Sequence, residues 1–114
     1  MLDVTKKISN LLKEIAPVEL SGSEKDLILP SIYLEQVSNA ADVVMDHKDF
    51  LTRFTYQIDV YAETPQRCIE IAEAVNAAMQ GDGWQRSNGA LVGRQRYVLT
   101  YTALINEKYS IFSA

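Results

Sequence analysis

The sequence predicts an α+β fold: a mostly antiparallel sheet of about four to five strands with two helices packed on one face. Three observations carry the prediction. Phe50 to Ala62 alternates and runs through Thr64-Pro65 into an amphipathic helix that stops at Gly81. An apolar stripe at helical spacing opens the chain, and the C-terminal third holds two alternating runs separated by hairpin-type residues. Strands joined by hairpins with only two helices leave one sheet face to be covered by both helices.

The first helix begins after Asp3, a residue able to cap it, and Val4, Ile8, Leu11, Leu12 and Ile15 recur on one face at 3.6 residues per turn. Pro17 closes it, and Lys6, Lys7 and Lys13 fall off the stripe on the solvated side. Val18 to Lys25 contains Ser21-Gly22-Ser23-Glu24-Lys25 and reads as a polar loop without periodicity. Leu27 to Val37 reads as an extended strand biased to a sheet edge, because Pro30 cannot donate within a central ladder. Ser38 to Asp49 places an apolar knot, Val43-Val44-Met45, between polar flanks. It is either a hairpin arm or a loop that orders on binding, and in both cases an interaction element.

In the central strand Phe54, Tyr56, Ile58 and Val60 share one face, against Arg53, Gln57 and Asp59 on the other. Thr64 is the expected N-cap of the second helix, with Pro65 at its first position and Cys68, Ala72, Val75 and Met79 as its buried stripe. Gly81 is expected to supply the left-handed C-cap. Gly83 to Ser87 reads as a short strand, and Asn88-Gly89 as a two-residue hairpin turn. The closing strand, Arg94 to Asn106, sets Tyr97, Leu99, Tyr101 and Ala103 against Arg94, Arg96, Thr100 and Thr102. The tail after Lys108 ends apolar.

With 114 residues, 47% apolar and 23% charged, the chain is one ordered domain spanning 1–114. A net charge of -4 argues against a general nucleic-acid binder, which needs a basic footprint. No apolar run reaches the roughly 18 residues of a membrane span. The N-terminus lacks the order of a signal peptide, and a single cysteine excludes an internal disulfide, so a reducing cytoplasm is expected.

Catalytic patterns fail one by one. His47 is the sole histidine, in a polar segment without the further ligands of a tetrahedral site. Cys68 lies on an apolar helix stripe with no histidine to activate it. Gly81-Asp82-Gly83 follows a helix instead of opening one, so it is a stop and not a phosphate loop. Glu70 and Glu73 read as a wet helix face. The expectation is a non-enzyme with no cofactor and no metal.

Interface chemistry has more support. Arg86, Arg94 and Arg96 surround the C-terminal hairpin, while Asp42, Asp46 and Asp49 sit in the 38–49 arm, an arrangement suited to complementary contacts between copies. Tyr33, Tyr61, Trp84, Tyr109 and Phe112 exceed what a two-layer core accommodates, and some are expected at an interface.

The layout resembles the tail-completion or tail-terminator (head–tail joining) proteins of long-tailed bacteriophages. The resemblance rests on the N-terminal helix ending at Pro17, Pro30-Ser-Ile-Tyr-Leu-Glu35, and Tyr56-Gln-Ile-Asp-Val-Tyr-Ala62 followed by Cys68 to Val75. Gly83-Trp84 and Arg96-Tyr-Val-Leu-Thr-Tyr101 complete it. It implies a virion protein, present in the host cytoplasm during assembly, that forms a ring, typically of six subunits. Such a ring closes the tail tube and docks it to the head, with a tail-tube protein and a head connector as partners and DNA passing through. It also implies contact roles for the arm, the Asn88-Gly89 hairpin and the tail holding Tyr109 and Phe112. The alternative is a small cytoplasmic adaptor that binds other proteins.

Overall fold

The computed structural model describes residues 4–20, 29–45, 49–106 and 111–112. Helix α1 (Val4–Leu12) and strands β1 (Val18–Leu20), β2 (Ser31–Met45) and β3 (Asp49–Tyr61) lead into helix α2 (Pro65–Gly81). Strands β4 (Gln85–Val92), β5 (Arg96–Asn106) and β6 (Ile111–Phe112) follow. The sheet order is β1-β2-β3-β5-β4, with β6 on β5. Only β1 and β2 pair in parallel, so the sheet is mostly antiparallel and the fold is α+β.

Period-two alternation decides which face is covered. Phe54, Tyr56, Ile58 and Val60 of β3 lie opposite Ala103, Tyr101, Leu99 and Tyr97 of β5, so one face of the sheet is continuously apolar. Cys68, Ile71, Ala72, Val75 and Met79 of α2 bury against it, as do Val4, Ile8 and Leu12 of α1. Thr64 caps α2 as its residue type predicts: its Oγ1 accepts from the Arg67 N–H at 3.1 Å, with Pro65 opening the helix. The Asp3 cap expected for α1 lies outside the described residues. Lys7, expected to be merely solvated, forms an ion pair of 3.3 Å with Asp82 at the end of α2.

Four local expectations are corrected. Val18–Leu20, read as loop, is the parallel edge strand β1 on Ile32–Leu34. Its three residues are too few for periodicity, and its partner is remote in sequence. Of the extended segment expected from Leu27, the first two residues lie outside the described ones, Leu29 and Pro30 form a bend, and β2 begins at Ser31. Helix α2 runs through Gly81, and the left-handed position is Gly83 at φ 97°. The Gly83 N–H donates to Gln80 O and the Trp84 N–H to Met79 O, a Schellman closure that folds the Trp84 ring into the core at 2% exposure. That indole stacks edge-on against Tyr56 at 5.6 Å, so the core takes up an aromatic residue counted as surplus.

The fourth correction concerns the last hairpin. Asn88-Gly89 makes no turn; β4 runs straight through it, and the chain reverses at residues 93–95 with Gly93 at φ 69°. The Asn88 side chain instead accepts from the Gly89 N–H at 2.8 Å, beside a register shift between Arg86 and Asn88. The site is tight: a Cβ at Gly89 would stand 3.2 Å from Leu99 Cδ2 and 3.4 Å from Arg86 Nη1, so the Leu99 side chain would have to give by a few tenths of an ångström.

Of the 38–49 segment, Ser38–Met45 and Asp49 belong to the distal part of a long β2–β3 hairpin, and residues 46–48 lie outside the described residues. Ser38 to Met45 pair with Thr55 to Asp49, with one register shift between Ala41 and Val43 and another just before Ser38. Strand β5 follows β3 only as far as Thr52, so the outermost pairs, Val43↔Leu51 to Met45↔Asp49, extend beyond it. The molecule is accordingly 50 × 24 × 21 Å, with a radius of gyration of 14.8 Å against about 13 Å for a compact chain of this length.

Candidate functional site

The nucleophile considered first is inert by position. Cys68 is fully buried, its Sγ 4.0 Å from both Val60 O and Ala62 O. Burial pushes its thiol pKa up, opposed by a backbone hydrogen bond at Ala62. Glu70 pairs with Arg67 at 3.4 Å on the exposed side of α2. His47 lies outside the described residues, and among the described residues no three His, Cys, Asp or Glu side chains gather to hold a metal. No described helix is long and apolar enough to cross a membrane.

The three arginines do not form one patch. Arg86 faces the helix side of the sheet opposite Tyr101, Arg94 lies exposed in the 93–95 turn, and Arg96 stands on the uncovered face. There Arg96 Nη2 donates to Asp59 Oδ2 at 2.8 Å, and its guanidinium lies 6.0 Å from the Tyr61 ring centre. Tyr61 in turn packs edge-on against Tyr33 at 5.4 Å. Arg96 is therefore engaged within its own chain, whereas Arg86 and Arg94 have no carboxylate partner among the described residues. Asp42 and Asp49 belong to the hairpin strands β2 and β3, and Phe112 to β6, where it pairs with Ile105. Asp46 and Tyr109 lie outside the described residues.

Two surfaces emerge that residue patterns alone did not point to. The first is a cleft of about 210 Å³ between α2 and the β4–β5 hairpin, walled by Ile69, Ala72, Glu73 and Asn76 on one side and Arg86, Tyr97 and Leu99 on the other. Asn76 of this wall accepts at its Oδ1 from the Tyr101 hydroxyl at 2.8 Å. Burial holds that phenol at about 12, with Arg86 pulling it down and Tyr97 pushing it up. The second surface is β4 itself, an edge strand exposed along all eight residues, with Leu91 and Val92 among the exposed large apolar side chains.

The chain matches no protein-family model and no curated protein.

Proposed function

We propose that this chain is a non-enzymatic assembly protein of long-tailed bacteriophages, forming a ring that closes the tail tube, joins it to the head, or both. The observation that supports this reading best is the β2–β3 hairpin extending beyond the rest of the sheet. A two-stranded ribbon has little core of its own, and packing against a neighbouring subunit supplies what it lacks. The resemblance of the chain's layout to tail-terminator proteins gives that neighbour an identity: another copy, in a ring of about six. Heterologous patches whose rotation closes suffice to build it.

In this role the partners are a tail-tube protein on one side and a head connector on the other. The net charge of -4 suits a ring through which DNA passes without adhering. The protein works in the host cytoplasm during assembly and stays in the virion, without membrane or sequence-specific nucleic-acid contacts. Negative-stain imaging of the chain, alone and mixed with tail-tube and connector proteins, tests it. Closed rings, or rings seated on tube ends, are expected; strictly monomeric particles that ignore both partners overturn it. The exposed β4 edge also suits an adaptor that captures an extended peptide as an added strand. A stable monomer binding such a peptide is the outcome that would favour that alternative.

A further inference from the structure

The sheet ends in two unlike edges. On one side lies β4, eight residues without proline and with Arg86 as its one charge. On the other side β1 covers only Ile32–Leu34 of the fifteen-residue β2, so among the described residues Glu35 to Met45 pair with β3 alone, with register shifts that leave Val37 and Asp42 out of that ladder. Unpaired N–H and C=O groups on such edges are templates for another strand, and natural proteins usually shield them. The directions are compatible. Strands β2 and β5 run one way and β3 and β4 the other, because every neighbouring pair from β2 to β4 is antiparallel. The β4 edge of one copy therefore meets the β2 edge of the next in antiparallel sense if the sheet simply continues.

From this we infer that copies join edge to edge, β4 of one subunit pairing antiparallel with β2 of the next beyond the end of the neighbour's β1. The inference rests on the ring reading above and supplies its contact. The stretch without an outer neighbour among the described residues is long enough: β4 spans about 27 Å at 3.4 Å per residue, and Glu35–Asp42 gives the same number of residues. In that register Ala90 falls opposite Val37, which is 55% exposed. Charge agrees in sign. The β4–β5 end carries Arg86 and Arg94, both without carboxylate partners among the described residues, and the β2–β3 hairpin carries Glu35, Asp42 and Asp49. The joint is heterologous, using different patches on the two partners, as a closing ring requires.

The test is cysteine pairing in the full chain, whose native Cys68 is buried and silent. Under mild oxidation, a protein carrying both Val37→Cys and Ala90→Cys should give a ladder of disulfide-linked oligomers. Mixed single variants should stop at dimers, and either variant alone should stay unlinked. Hydrogen exchange gives an independent readout, with the β4 amides slowing at least tenfold on assembly. Rings that persist while β4 exchanges freely and Ala90→Cys links to neither Val37→Cys nor Glu35→Cys overturn the edge joint and leave the ring standing. Dimers from Ala90→Cys alone overturn it in favour of a symmetric β4–β4 contact, and a chain that never oligomerises overturns both.

Discussion

Tyr101 couples the cleft to the stability of the fold in a way that pH can expose. Its ring is wholly buried, its hydroxyl donates to Asn76, and its pKa is held at about 12, chiefly by burial. A phenol raised above its unfolded value of about 10 contributes stability in full below pH 10 and loses it as pH climbs through 12. At pH 11 the unfolded phenol is mostly ionised and the folded one mostly neutral, which costs the native state about 1.4 kcal/mol relative to pH 8. Tyr101→Phe removes the hydrogen bond, for about 1 kcal/mol at pH 8, and with it the titration. Urea unfolding of both proteins at the two pH values measures the difference. The variant should be the weaker at pH 8 and equal or better at pH 11. A gap that stays constant between the two refutes the account of this site.

Two glycines separate conformational need from space. Gly93→Ala should destabilise by about 1 kcal/mol, because its φ of 69° is costly with a Cβ. Gly81→Ala should stabilise by up to about 1 kcal/mol, since it ends a helix with nothing within 4 Å of the added carbon; thermal melts of both variants check the opposite signs. Cys68, buried with a raised pKa, should resist a thiol reagent in the native protein and react only on unfolding, so its labelling rate should follow denaturant. Rapid labelling in buffer would show the core to be open.

Much of the scaffold is legible because long periodic segments average over local noise. The stripe Val4, Ile8, Leu12, the alternation from Phe54 to Val60, and the Thr64-Pro65 start each combine several agreeing residues. What escapes is decided by contacts remote in sequence. Asn88-Gly89 has a local turn preference, yet seven β4–β5 pairs and a reversal at Gly93 outweigh it. Gly81 and Gly83 are equivalent on paper, and the burial of Trp84 beside Met79 selects the later one. Of the proposed assembly surfaces, the arm is visible as the Val43-Val44-Met45 knot. The bare edge of β4 is not, because no residue type announces that a strand lacks an outer neighbour. The arginines divide for a similar reason: two positions apart in sequence, Arg94 and Arg96 differ in that one sits in a turn and the other faces Asp59.

The central claim is that this chain closes into a ring. Native mass spectrometry across a concentration series, with and without a tail-tube protein, reads it directly. A closed ring gives one dominant assembly near 77 kDa for six copies of a 12.8 kDa chain, free of the open-ended series that a non-closing contact produces. A 12.8 kDa species at every concentration, unchanged by the tail-tube protein, contradicts the claim.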